Sequence, residues 1–360
     1  MPVTTTGLEV DRTDLRRTRV AVGRAPAEPP AGGVLCRVDS FALTANTVTY
    51  AVAGDLFGYW RFFPVSEPPW GRVPAWGHAE VVASSHPDVE PGQRFYGFWP
   101  LADHVVLEPT GVAAQGFVDG APHRAELPSI YQRYQRADPR AGADAEARTA
   151  LLRPLFATSF LLDAWLGEQD LFGADTVVLS SASSKTALGL GHLLRERGRG
   201  EVVGLTSRRH VDFVARTGAV DRAVAYDDLP DALPDAPAVY VDVAGAAGVL
   251  TAVHTRLGDR LRRSVRVGFT HHDVLADGSG DLPGPAPEMF FAPDHAQRLA
   301  ARWGGAAFAE RLETARRGFE RGPGASIGLV RRTGPEEIAA AWLETVEGRT
   351  DPATGTIGAW

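Results

Sequence analysis

Apolar residues along this chain follow two rhythms, and the change from one to the other divides it. In the first part, short runs alternate apolar and polar positions: 34–41 (VLCRVDSF), then AEVVAS, QRFYGFWP and DHVVLEP between Trp76 and Pro109. Alternation of this kind is the pattern of a half-buried strand, and turn signals at Pro87-Asp88 and Pro91-Gly92 separate the runs. Several short strands at such spacing predict a small β-barrel. Ahead of them, residues 1–35 pass from charge-rich to Pro-rich text and predict an edge strand and a loop.

From Thr176 the rhythm changes. An apolar run at 176–179 and strand-like runs at 201–205, 223–226, 238–243 and 266–269 alternate with helical periods at 185–197, 209–217 and 246–257. Short apolar runs suit strands covered on both faces, and strand–helix alternation predicts βαβ units around a parallel sheet. Residues 151–167 read as an apolar helix interrupted near Pro154, and 306–320 and 335–347 as amphipathic helices. Residues 116–150 lack a clean period. Tyr131, Arg133, Tyr134 and Arg136 predict a solvated, locally packed helix, with a pocket for an anionic or aromatic group as the alternative. The Ala/Asp-rich stretch that follows reads as an exposed linker.

Composition narrows the class. The 360 residues allow two domains, and 44% hydrophobic with 22% charged residues is the balance of a globular enzyme. A net charge of -7 gives no footprint for nucleic acid or an anionic membrane. No apolar stretch approaches the ~20 residues of a membrane span, and the first residues lack the apolar core of a signal peptide, so a cytoplasmic protein is expected. The one cysteine, Cys36, falls in a strand pattern and is expected in the core. One cysteine excludes an intrachain disulfide and a cysteine-rich zinc site.

Chemistry gathers at a few places. Between the run 176–179 and the helix 185–197 lies a turn of small residues, Ser180-Ser181-Ala182-Ser183-Ser184. A helix N-terminus offers unpaired N–H groups and favours an anion. Ser183, Ser184, Lys185 and Thr186 therefore form a candidate phosphate cradle, although a dinucleotide turn normally carries glycines. At the end of the second run, an acid would take ribose hydroxyls; Thr206, Ser207, Arg208 and Arg209 stand there instead. Hydroxyls and guanidinium groups suit a 2′-phosphate, so NADP is the expected dinucleotide, with Thr206, Ser207 and Arg209 as its contacts. Asp242, at the end of the run 238–243, joins the cofactor-binding candidates.

Residues 43–60 crowd Asn46, Thr49, Tyr50, Asp55, Tyr59 and Trp60 together. They read either as a loop anchored by aromatics or as a pocket wall carrying a phenolic proton donor. His271 and His272 follow a strand directly, where α/β sheets gather ligands. Adjacent histidines diverge and no third ligand is in view, so no metal site is expected. Met289-Phe290-Phe291-Ala292-Pro293 would cap a pocket or an oligomer interface.

Taken together, VLCRVDSFALTAN at 34–46, WGHAEVV at 76–82, VEPGQRFYGF at 89–98, DTVVLSSASSKTALGLGHLL and VYVDVAGAAGVL at 239–250 resemble the medium-chain dehydrogenase/reductase superfamily. The resemblance is to its zinc-free, quinone-oxidoreductase-like side. YAVAGDLFGYWRFFP, LLRPLFATSFLLD and FFAPD look like a branch known only as a domain of unknown function. The resemblance implies an α/β fold: a Rossmann-type doubly wound parallel sheet plus a GroES-like β-barrel domain. It places the catalytic domain at 1–145 and 322–360 and the dinucleotide domain at 146–321, and it implies a homodimer. Zinc-dependent members carry a Cys after the first barrel strands and a His in a Gly-His-Glu motif. Here the Cys place falls within 45–48, and the other reads Gly77-His78-Ala79, which leaves too few ligands for zinc. By family position Ser184, Lys185 and Ala187 stand at the three glycines of the fingerprint.

The leading expectation is a zinc-independent, NADP(H)-dependent oxidoreductase acting on a carbonyl or activated alkene of a hydrophobic small molecule. Tyr50 or Tyr59 is the candidate proton donor, with Thr49 and His78 in support and His271 toward the nicotinamide. The alternative is a non-redox lyase or acid–base enzyme with a CoA- or phosphate-bearing ligand in the modified turn. A third is a non-catalytic binding protein on the same scaffold.

Overall fold

In a computed structural model of the protein, residues 1–229, 231–243, 247–267 and 282–360 are described. The chain forms two compact units, Met1–Leu152 with Leu329–Trp360, and Arg153–Gly328. Both boundaries fall later than 145 and 321, the first of them inside a helix.

The first unit opens with β1 (Val3–Asp11), β2 (Asp14–Ala25) and β3 (Val34–Leu43), then α1 (Ala45–Val52) and β4 (Trp70–Gly71). Next come β5 (Pro74–Ser84), β6 (Arg94–Pro100), β7 (His104–Leu107), β8 (Pro109–Ala113), β9 (Gly116–Asp119) and β10 (Arg133–Arg136). Helix α2 (Ala143–Glu168) leads into the second unit, which holds β11 (Thr176–Leu179), α3 (Lys185–Arg197), β12 (Glu201–Thr206) and α4 (Val211–Thr217). It continues through β13 (Arg222–Ala225), β14 (Ala238–Asp242), α5 (Ala247–Leu257), β15 (Leu261–Arg266), β16 (Glu288–Met289), α6 (Ala292–Trp303) and α7 (Gly305–Arg321). The chain returns to the first unit by β17 (Gly328–Thr333), α8 (Pro335–Val346) and β18 (Thr354–Ala359).

In the first unit, β2-β1-β4 make a small sheet, and the larger one runs β17-β18-β3-β5-β6-β10-β9-β8, with β7 also on β3. The alternation read at 34–41 produces this sheet directly. Val34, Cys36 and Val38 turn inward while Arg37 is exposed, and β3 pairs antiparallel with β5 from Val34↔Ser84 to Phe41↔Gly77. Gly77 is obligatory in that register, because a Cβ there would stand 2.2 Å from the Ser40 carbonyl oxygen. Cys36 lies in the core, as expected. It shares one core with Phe41, Phe95, Phe98, Trp99 and Trp342.

In the second unit the strand order among the described residues is β13-β12-β11-β14-β15-β16, every pair parallel. This is the doubly wound order, with β11 at its centre. All residues of β11 and β14 are buried, which explains the apolar text of Val177–Leu179 and Ala238–Val241. One core lies on each face: Leu162, Leu190, Val214 and Leu299 on one, Val203, Tyr240, Val253 and Leu257 on the other.

Four expectations need correction. Segment 131–136 is not a solvated helix: a 3-10 turn leads into β10, and Tyr134 is buried against Trp99 and Phe117. The Tyr/Arg alternation was a strand's period of two, and sheet pairing to β9 and β6 decided it. The Ala/Asp-rich stretch is no linker from Ala143 onward but the first turns of α2, where Ala147 and Ala150 are buried and Glu146 takes two bonds from Arg94 at 3.1 and 2.7 Å. Helix α2 also runs through Pro154 rather than breaking there. Residues 43–60 are not simply a loop, since α1 fills 45–52.

Candidate active site

Each unit gathers one group of functional side chains. In the first unit, Thr44 follows β3 as the N-cap of α1 and its backbone N–H bonds Thr47 Oγ1 at 3.2 Å, the local chemistry of a helix start. The α1 helix then sets Asn46 one turn before Tyr50, and Asn46 Nδ2 donates to Tyr50 Oη at 2.7 Å. Trp76 on β5 donates its Nε1 proton to the same oxygen at 2.9 Å. A phenol oxygen that accepts twice leaves its own proton to give, and no acceptor for it stands among the described residues. Thr49 is half-buried on the same helix and donates to the Ala45 carbonyl at 3.2 Å.

Tyr59 enters on a 3-10 turn behind Gly58, whose φ of 74 lies in the left-handed region. Its hydroxyl meets that of Tyr131 at 3.0 Å. The three phenol rings form one cluster, with centroids 4.8 Å (Tyr50–Tyr59), 5.4 Å (Tyr59–Tyr131) and 5.9 Å (Tyr50–Tyr131) apart. Phe98 lies against Tyr50 and Tyr131, and Trp76 stacks on Tyr96 at 5.3 Å. His78, two residues after Trp76 on the same face of β5, is buried with its ring 5.4 Å from Tyr96. Burial holds the Tyr50, Tyr59 and Tyr131 hydroxyls above the ordinary phenol range, so all three remain neutral donors. Sequence reasoning named Tyr50, Tyr59 and His78 but missed Trp76, Tyr96 and the bond from Asn46. The i,i+4 spacing of Asn46 and Tyr50 was readable; the Trp76 bond spans two elements and was not.

In the second unit the serine turn is built as strand, turn, helix. Ser184 is the N-cap of α3, accepting from the Ala187 N–H, and Lys185 and Thr186 form its first turn. Ser183 is buried and accepts from Thr206 Oγ1 at 3.3 Å. Ser180 donates to Asp242 at 2.7 Å and accepts from the Val243 N–H, so the buried Asp242 ties the end of β14 to the end of β11. Ser181 holds φ 47, a conformation that glycine adopts more readily. Its N–H donates to Tyr226 Oη at 2.8 Å, and burial raises that phenol to about 12. Close packing of α3 is served by Gly189 and Gly191, where a Cβ would stand 2.8 Å from Ser159 Oγ and 2.5 Å from the Ala219 carbonyl oxygen.

At the end of β12, Ser207 bonds His210 Nδ1 at 3.0 Å. Arg208 is held by Asp227 and Asp228, whereas Arg209 is exposed with no ion pair among the described residues. A dinucleotide phosphate placed here would meet a helix start, hydroxyls and an exposed guanidinium. These groups fit it, although one N–H of the turn is already taken by Tyr226. His271 and His272 lie outside the described residues. Among the described residues no group of three or more His, Cys, Asp or Glu could hold a metal ion, and no helix is long and apolar enough to cross a membrane.

A family model described as a protein of unknown function (DUF2855) matches residues 41–351. The chain belongs to that family. No curated protein matches this DUF2855 chain. Among solved structures it is similar to CurA from Vibrio vulnificus in complex with NADPH, with TM-score 0.62 and 13% identity over 98% of each chain. It is also similar to a putative NADPH:quinone reductase from Mesorhizobium loti, with TM-score 0.64 and 14% identity over 100% of this chain and 99% of the other. An Etr1p variant in complex with NADP and crotonyl-CoA gives TM-score 0.60 and 9% identity over both full lengths. At such identities the likeness establishes the fold, which is that of the medium-chain dehydrogenase/reductases. In this chain the turn between β11 and α3, residues 180–184, contains no glycine.

Proposed function

We propose that this protein is a zinc-independent, NADP(H)-dependent oxidoreductase that reduces a carbonyl or activated alkene of a hydrophobic small molecule. The observation that carries the reading is Tyr50: two donors fix its oxygen and leave its proton for a substrate. Ser183, Ser184, Lys185 and Thr186 would hold the pyrophosphate, and Thr206, Ser207 and Arg209 the 2′-phosphate, with Asp242 bracing the turn from beneath. A bound reduced nicotinamide supplies hydride. Tyr50 delivers the proton to the oxygen or carbon that becomes basic, while Asn46 and Trp76 keep the phenol oriented. Tyr59, Thr49 and His78 shape the surroundings of that proton. Apolar rings, Phe57, Phe98 and Trp76 among them, suit a hydrophobic substrate. The neighbours solved with NADPH or NADP support the cofactor by analogy.

One observation favours a second reading. Tyr226 occupies the Ser181 N–H, so a ligand with a different phosphate arrangement, such as a CoA thioester, would meet a turn already shaped by side chains, and the phenols would serve acid–base chemistry alone. Calorimetric titration with NADPH, NADH and coenzyme A separates the two. Micromolar NADPH binding that weakens about tenfold in Arg209→Ala supports the reductase, tenfold being the worth of one charge-assisted contact. No nicotinamide binding at millimolar concentration sinks it. The reading also carries a cytoplasmic homodimer, and a monomer in sedimentation would overturn that part.

A further inference from the structure

The phenol cluster contains a residue that the reductase reading does not use. Tyr131 lies in the segment 120–136, which runs from the end of β9 through β10, and this segment is firmly anchored. Arg124 donates Nε to the Phe62 carbonyl at 3.0 Å and pairs with the buried Asp119. Gln132, the next residue after Tyr131, donates to the carbonyls of Arg124 and Leu127 at 2.9 and 2.7 Å. The position of the Tyr131 hydroxyl is therefore set by buried bonds, not by a free loop.

Proton bookkeeping gives the rest. The Tyr59 and Tyr131 hydroxyls share one hydrogen bond, which consumes one of their two protons and leaves the other. Tyr50 has a proton left as well. Two neutral phenol protons inside one aromatic cluster, flanked by the half-buried Asn46 and Trp76, are a donor set suited to a single oxygen that carries negative charge. The rings of Phe98 and Trp76 beside them favour a flat, conjugated skeleton.

We propose that Tyr50 and the Tyr59–Tyr131 pair form an oxyanion site for a planar, conjugated enolate- or phenolate-type oxygen, with Tyr131 as the specificity-determining member supplied by segment 120–136. The proposal rests on the reading of this cluster as the substrate site. It narrows the substrate to compounds whose bound or reduced form carries such an oxygen.

The test is an absorption titration of the full chain with 4-nitrophenol at a pH where it is ionised, with 4-nitroanisole as the neutral twin. The wild type should bind the phenolate at least tenfold tighter than the ether, the difference expected of hydrogen bonds to a charged oxygen. Tyr59→Phe with Tyr131→Phe together should erase most of that preference, and Tyr131→Phe alone part of it, because Tyr59 keeps a proton. Unchanged 4-nitroanisole binding in each variant shows that the fold and the aromatic walls are intact. Equal affinity of the wild type for both probes, or a preference untouched in the double variant, overturns the proposal. NADPH titrated into the same proteins keeps the claims apart: phenolate selectivity without NADPH binding defeats the reductase reading alone, and the reverse defeats the oxyanion site alone.

Discussion

Replacing Arg124 by Met tests whether a buried ion pair holds the candidate site together. Arg124 is 2% exposed and Asp119 1%, and they pair directly. Met keeps much of the volume and removes the charge. Leaving one partner of a buried pair unpaired costs about 3–5 kcal/mol. Asp119 retains the N–H groups of Glu108 at 2.9 Å and Ala121 at 3.4 Å, which points to the lower end. The Phe62 carbonyl loses the Arg124 Nε donor, and the guanidinium 4.5 Å from the Phe63 ring disappears, which pushes the other way. About 3 kcal/mol in a unit of this size lowers the melting midpoint by roughly 6–12 °C. Thermal unfolding followed by tryptophan fluorescence measures it. Adding Asp119→Asn should return at least half of the loss, because the stranded charge is gone, whereas Arg124→Lys should recover less, since one ammonium cannot serve Phe62, Asp119 and Tyr134 together. A loss under about 1 kcal/mol, or a double variant no better than Arg124→Met, refutes the idea that the pair anchors segment 120–136.

Other outcomes follow from single contacts. Tyr50→Phe should cut turnover about a hundredfold, the scale of general acid catalysis, while NADPH affinity measured by calorimetry stays as it was; equal turnover removes Tyr50 as the donor. Gly97→Ala should destabilise the first unit by about 1–3 kcal/mol in urea unfolding, because the added Cβ would stand 2.4 Å from the buried Tyr134 ring. His254 is buried between the Pro283 carbonyl at 2.9 Å and Ser264 Oγ at 2.8 Å, and burial holds its imidazole below the ordinary 6.5 against weaker upward pulls from the Pro283 carbonyl and then Asp242. The unfolded chain therefore takes up a proton that the folded chain refuses. Stability from this group is complete above about 6.5 and is lost as the pH falls below it. Melting midpoints should drop from neutral pH toward about pH 5, and His254→Gln should flatten that slope; an unchanged slope would remove His254 as its source.

What could be read in the sequence depended on how locally each feature is determined. Strands β11, β12 and β14 were legible because nearly all of their positions are buried, so their central positions are apolar. The β10 strand was not, because four residues carry too little period to outweigh the helical look of Tyr131 and Tyr134, and pairing with β6 and β9 decided the matter. The start of α2 hid for a related reason: its acidic text looks solvated, yet Glu146 is spent on Arg94, 52 residues earlier.

The serine turn shows the same limit at the site itself. Its existence followed from the apolar run and the helical period on either side. How a turn without glycine could form there did not follow, because the support comes from outside the turn. Ser181 sits in the left-handed region at a cost of about 1 kcal/mol or more. The Tyr226 hydroxyl, 45 residues on, takes its N–H, and Asp242 holds Ser180 beside it. A glycine turn is shaped by its own backbone and waits for phosphate to satisfy its N–H groups. This turn is shaped by side chains from β14 and the segment after β13. On the proposed reading, a phosphate at this turn is recognised through hydroxyls, Lys185 and Arg209 more than through bare backbone, and affinity should respond to those side chains more steeply than in a glycine-rich turn.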